Sequence, residues 1–463
     1  MSSDIFTFSL RQLHERLVSG EISVAEVTEH FLGRIEALNP TLNALVHVDG
    51  DHAREQALLR QHLIDDKTLS GPLAGIPTAD KDLVRRQGMP TGFGSNARDA
   101  EVHDDPSDPM AQWVDASGAL SVGKTATSEF GLAGYTEPDH LPPSRNPHDL
   151  DHQTGGSSGG AAAAVAAGLI PFAPGSDGGG SIRIPALSCG VTGWKPTRGL
   201  IPSGHGLDSP GGLSVAGLIT RSADDMDFIA AELMTGQMPT ATKAPERELP
   251  GRLRVGMTTT SPWPVEWGIG PDADSTNAYE KAIDALRSEG HIVEELAWEP
   301  DRNYQHYFLT LWAVGAANIE IAPDKEGELT ELTQYLRAIG VRTSGVEYHR
   351  ALRGLGQFER DTIAQFSGVD AVLTPGLAHA APPVGYFSRD PETNFRQQVE
   401  FTPWTSFVNV AGLPAVAFPT HLSSERLPMG AQLIGAPGSD RSLISVVAKI
   451  EHHVSDARVI PQL

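Results

Sequence analysis

The chain has 463 residues, 40% of them hydrophobic and 20% charged, which is a globular composition with room for one large core or two to three ordinary domains. Its 35 basic and 58 acidic residues leave a net charge of −23, a surface that repels phosphate backbones and argues against nucleic-acid partners. The single cysteine, Cys189, excludes an intrachain disulfide and fits a reducing compartment.

The N-terminus carries no apolar signal-peptide core, and "GGAAAAVAAGLIPFAP" is too short and too rich in small residues to span a bilayer. A soluble, cytoplasmic protein with no membrane partner is expected. Ser9 predicts the start of a short helix that stops at Gly20. Ser23 and Glu26 form a capping-box pattern, and Val24, Val27, Phe31, Ile35 and Leu38 follow at helical spacing. "LNALVHV" reads as a strand and "GDHAREQALLRQHLIDD" as a helix, completing an N-terminal helical segment over about 1–65.

From about 70 to 230, short apolar runs alternate with Gly, Pro, Ser and Asp clusters. "WVDASGALSVGKT" predicts a helix end and a strand. "SSGGAAAAVAAGLIPFAPGSDGG" predicts a small-residue helix, a strand and a turn. "RLRVGMTTT" with "NAYEKAIDALRSEGHIVEEL" reads as strand, helix, strand; "VDAVLTPG" and "LPAVAFPTHL" as buried strands; "DRSLISVVAKIEHHV" as a closing helix. "GQMPTATKAPERELPG" reads as a surface connection. The alternation predicts an α/β fold, a large mixed β-sheet flanked by helices on both faces.

Two motifs invite readings that their surroundings oppose. Residues 118–125, "GALSVGKT", match the phosphate-loop pattern, but the four residues after the first glycine look like a strand rather than an open loop. "GGSSGG" matches a nucleophile elbow around Ser157 and Ser158, but an elbow needs a strand before it and "RNPHDLDHQT" reads as a loop. Cys189 lies in "ALSCGVTGW", which reads as core rather than as a nucleophile's setting. No metal-ligand spacing occurs, and no cofactor is expected.

A third constellation joins Lys81 in "GIPTADKDL", Ser157 in the Gly-Ser cluster and Ser181 at the end of "GSDGGGS". Around them stand "GKTATSEFG", "NPHDLDHQTGGSSGGAAAAVAAG", "GSDGGGSIRIPALSCGVTGWKPTRG" and, late in the chain, "NVAGLPAVAFP" and "LPMGAQLIGAP". These blocks, in this order, resemble the amidase-signature family over about 66–230 and 365–463. The resemblance implies a single amidase-signature domain over 1–463, with a variable substrate-site region at about 236–360. It also implies a Ser-cisSer-Lys triad, with Ser181 as nucleophile, Ser157 as bridge and Lys81 as base. An oxyanion hole from Gly178, Gly179, Gly180 and Ser181 is implied too.

Chemistry supports those roles. A serine hydroxyl needs a base in hydrogen-bond reach, and lysine serves only when burial keeps it neutral. Backbone N–H groups aimed at the developing oxyanion stabilise it, and glycines leave the approach unobstructed. Asp177 and Arg183 flank the glycines and are expected to pair as a support; Ser158 is expected to hydrogen-bond the loop, and Phe130 to touch substrate. Asp80 stands where the family has an apolar residue, and strand alternation predicts that it faces away from Lys81. Gly178 stands in place of a common threonine, and Thr154 in place of a common proline. Tyr304, Tyr307, Phe308 and Leu311 fall at helical spacing, either as a core stripe or as an aromatic wall of the substrate site. The expected partner is a small-molecule amide, with the chain a monomer or homodimer. Esters, carbamates (urethanes) and aryl-acylamides are the alternative substrates. A glutaminase subunit of a tRNA-dependent amidotransferase is a further reading, opposed by "SGVEYHRALRG", which departs from that subunit's Gly-x-Glu-Val-Lys-Arg-Arg segment.

Overall fold

The computed structural model describes residues 5–461 except 70, 103, 202–211, 235–245 and 458. The helix Leu10–Ser19 is capped by Ser9 and ends on Gly20, whose φ of 72° closes the turn. The helix Val24–Leu42 starts on the Ser23–Glu26 capping box and buries Val24, Val27, Phe31 and Ile35. Eleven strands then form two sheets. They are β1 (Leu45–Val48), β2 (Pro77–Lys81), β3 (Leu120–Thr125), β4 (Phe172–Asp177), β5 (Thr192–Lys195), β6 (Val215–Thr220), β7 (Arg254–Met257), β8 (Ile292–Glu295), β9 (Ala371–Pro375), β10 (Ala415–Leu422) and β11 (Pro428–Gly435).

The larger sheet has eight strands in the order β8-β7-β9-β11-β10-β5-β6-β4. It is parallel through β8, β7 and β9 and antiparallel from there on, so it is mixed as expected. The smaller sheet orders β1-β3-β2. Strand β2 is tied to β4 through Thr78 Oγ1, which donates to Phe172 O at 2.9 Å. This side-chain bond brings the end of β2 beside the end of β4, where the chemistry gathers.

The phosphate-loop pattern falls on β3, and Lys124 is buried, donating to Val84 O at 2.5 Å and Thr91 Oγ1 at 3.0 Å. The lead-in to "GGSSGG" corrects the expectation of a loop: Arg145–Asn146 and Asp149–Gln153 pair as a short antiparallel hairpin. The helix Gly159–Ala166 that follows is buried along its whole length. A Cβ on Gly160 would stand 2.3 Å from Ala44 O, so a bare backbone is required there. Residues 236–245 of the anticipated surface connection lie outside the described residues. The largest hydrophobic cluster contains both Ile5 and Val454, uniting the two ends of the chain. No helix among the described residues is long and apolar enough to cross a membrane.

Candidate active site

Lys81 is the last residue of β2 and is fully buried. Its Nζ donates to Ser157 Oγ at 2.7 Å and to Ser176 Oγ at 2.9 Å. Burial pushes the amine down to about 7, and the charge of Asp177 opposes that drop. Strand alternation turns Asp80 to the other face, where its carboxylate takes Arg86 Nε at 2.5 Å and Ser121 Oγ at 2.7 Å. Asp82 is also turned elsewhere and accepts the Gly92 N–H at 3.0 Å.

Ser157 follows a cis peptide bond after Gly156. Ser158, next in line, donates its N–H to Ser181 O at 3.1 Å and its hydroxyl to Ser176 O at 3.4 Å, fastening the Gly-Ser loop to the glycine-rich turn as expected. Ser181 lies between β4 and the helix Arg183–Ser188. Its Oγ makes no hydrogen bond among the described residues.

Asp177 closes β4 and organises the loop after it. Its carboxylate accepts the N–H of Gly180 at 2.7 Å and of Ile182 at 3.2 Å. It also takes Arg183 through Nε at 3.0 Å and Nη2 at 2.9 Å, the expected pair. Burial raises the carboxyl's pKa, but the Arg183 guanidinium outweighs it and holds the group well below the usual carboxylate range. One expectation is corrected here. The Gly180 N–H is spent on Asp177 and does not face the cavity. The N–H groups of Gly178, Gly179 and Ser181 carry no hydrogen bond to other described residues. Gly180 instead serves the turn: its φ is 131°, and a Cβ would stand 2.5 Å from Thr405 Oγ1.

Three supports escaped the sequence reading. Thr405 Oγ1 donates to Gly179 O at 2.6 Å. Asn409 donates to Asp177 O at 2.7 Å and accepts from Arg183 Nη2 at 2.6 Å. Gln432 Oε1 accepts from Arg183 Nη1 at 2.8 Å. For the last two the signal was a lone polar residue in each of two apolar runs, "NVAGLPAVAFP" and "LPMGAQLIGAP".

Ser181 stands between two hollows. One, of about 550 Å³, is lined by Ser157, Ser181, Gly178, Phe130, Leu311 and Trp312 among others. The other, of about 70 Å³, is lined by Ser181, Gly179, Trp263, Phe308, Trp312 and Phe395 among others. Phe130 thus borders the larger hollow. The stripe on the helix Tyr304–Ala317 is both core and wall: Tyr304, Phe308 and Leu311 are buried, while Leu311 and Phe308 each border one hollow. Trp312, which the helical-spacing argument passed over, borders both. Its ring lies 3.2 Å from where a Cβ on Gly178 would stand, so it takes the room that a threonine would fill. Thr154 is buried and donates its hydroxyl to Gly155 O at 3.0 Å. Cys189 is buried and its thiol is pushed far up by burial, the opposite of an activated nucleophile.

A mixed α/β sheet that brings a Gly-Ser loop, a glycine-rich turn ending in serine and a buried lysine to one hollow is the architecture of the amidase-signature hydrolases. The chain belongs to that amidase family, whose sequence model matches residues 26–444. It is 30% identical to a Synechocystis protein provisionally assigned as an amidase, over 98% of this chain and 90% of that one. It is also 30% identical to one component of the glutamyl-tRNA(Gln) amidotransferase of Acinetobacter baumannii, over 97% of each chain. Among solved structures, 6-aminohexanoate cyclic dimer hydrolase superposes with a TM-score of 0.86 at 28% identity, covering 99% of both chains.

Proposed function

We propose that this protein hydrolyses the C–N bond of a small carboxamide through an acyl-Ser181 intermediate, with linear amides as its substrates. The observation that carries this reading is the Lys81 Nζ to Ser157 Oγ bond of 2.7 Å, made by a fully buried amine, beside a hollow shared by Ser157 and Ser181. Neutral Lys81 takes the Ser157 proton as Ser157 takes that of Ser181 and the Ser181 Oγ–C bond forms. The oxyanion sits against the N–H groups of Gly178, Gly179 and Ser181; Gly180 shapes the turn. Ser157 then gives a proton to the departing nitrogen and regains one from Lys81. The C–N bond breaks, and the amine leaves. Water, deprotonated along the same relay, splits the ester and releases the acid. Asp177 and Arg183 hold the turn in place. Neither a metal nor an organic cofactor enters the cycle.

Ser181→Ala is expected to lower amide turnover by at least about 10³-fold while far-UV circular dichroism stays unchanged. A fluorophosphonate probe should modify Ser181, read by peptide mapping. Full activity in the variant, or a label on Ser157 or Ser158, would overturn the reading.

A further inference from the structure

The larger hollow holds two arginines that the proposed chemistry does not use. Arg85 and Arg98 both border it, together with Phe93 and Phe130. Neither guanidinium makes an ion pair or hydrogen bond among the described residues, and Arg85 Nε is buried without a partner. The neighbouring Arg86 is the contrast, because it pairs with both Asp80 and Asp115. Carboxylates outnumber cations 58 to 35 in this chain, so two unpaired arginines in one hollow are not for want of acids.

Both arginines are held in place by other means. The Arg85 backbone is clamped to Asp108: its N–H donates to Asp108 Oδ2 at 2.9 Å, and its carbonyl accepts the Asp108 N–H at 2.9 Å. The Arg98 guanidinium lies 5.0 Å from the centre of the Phe93 ring. Phe93 in turn stacks on Phe130, with centroids 6.3 Å apart. Both phenylalanines hold positive φ, 54° and 49°, a backbone state that is unfavourable for an ordinary residue and clusters at ligand sites. Among the described residues, the one carboxylate bordering this hollow, Glu320, is exposed. An adjoining outer hollow shares both arginines and adds Asp99, Asp105 and Asp324, none of which pairs with them.

We infer that the substrate's amine half is flat and apolar near the scissile bond and ends in a carboxylate, which Arg85 and Arg98 receive after the ring has lain along Phe93 and Phe130. This rests on the proposed acyl-serine cycle in one respect. Ser157, which returns the proton to the departing nitrogen, borders the larger hollow and not the smaller, so the amine half lies on the arginine side. The acyl half then faces the smaller aromatic hollow of about 70 Å³, room for a few carbon atoms.

The test separates binding from turnover. Ser181→Ala protein is titrated calorimetrically, in about 50 mM salt, with 4-acetamidobenzoate and with 4-methylacetanilide, which lacks the charge. The anionic anilide should bind at least about tenfold tighter. Adding Arg85→Gln or Arg98→Gln should cut that preference to about threefold or less. Equal affinities, or a preference that survives in both arginine variants, would overturn the inference. Tighter binding of succinanilate, whose carboxylate is on the acyl half, would overturn it as well. Acetate release from either anilide by the unmodified protein tests the hydrolase reading separately, so the two can fail independently.

Discussion

In the proposed cycle Lys81 can accept a proton only because of where it lies. Desolvation disfavours its charged form, and the opposing charge of Asp177 is largely answered by Arg183. In that cycle the working form is the neutral amine, present above about 7 and lost as pH falls through that value. In the proposed cycle, kcat/KM on an amide should therefore fall about tenfold per pH unit below 7 and level off above it. A profile between about pH 5 and 9 checks this, and a plateau reaching down to pH 5 would be incompatible with a lysine base. Lys81→Ala should lose this limb with most of the rate. The residues of the site were legible because each sits in a contiguous block of sequence. Thr405, Asn409 and Gln432 were not, because their meaning lies in partners more than 200 positions away, such as Asp177 and Arg183. Trp312 was passed over for a related reason: a helical wheel shows which residues share a face, not which of them meets a glycine from another element.

The turn from β4 to the helix Arg183–Ser188 is where local rules and distant packing meet. Three consecutive glycines look equivalent in sequence, yet the structure asks different things of each. A Cβ on Gly179 would come no closer than 3.5 Å to Phe308, an ordinary contact. On Gly180 it would meet both a left-handed backbone and the Thr405 side chain at 2.5 Å. Gly180→Ala should thus cost about 1–3 kcal/mol of stability, measured by urea unfolding, and Gly179→Ala clearly less. Equal losses would mean that the turn is not held as described. Element by element, apolar runs gave the sheet strands and capping residues gave the first helices. The hairpin Arg145–Gln153 was hidden because its segment is polar and lacks the alternation of a half-buried strand. The separate three-stranded sheet was hidden because a chain of alternating strands and helices does not reveal which neighbours share a hydrogen-bond ladder.

Across the whole molecule, the variable region about 236–360 could have been a separate body resting on the catalytic one. The packing argues otherwise. Its helices Tyr304–Ala317 and Gly345–Phe366 bury Phe308, Leu311, Leu355 and Phe358 in one cluster with Val372, Ala415 and Ile434, which belong to β9, β10 and β11. Two of its strands, β7 and β8, complete one edge of the larger sheet, while β4, bearing Asp177, forms the other. Arg183, at the start of the helix after β4, is itself anchored to Asn409 and Gln432. Melting the middle region would strip cover from the central strands and remove Trp312 from Gly178. The chain should therefore unfold as one unit, in a single calorimetric endotherm whose van't Hoff and calorimetric enthalpies agree. Activity on an amide should disappear over the same temperature range. Two separated endotherms, with activity surviving the first, would show that the middle region is a distinct domain and that the walls it lends to the two hollows are dispensable.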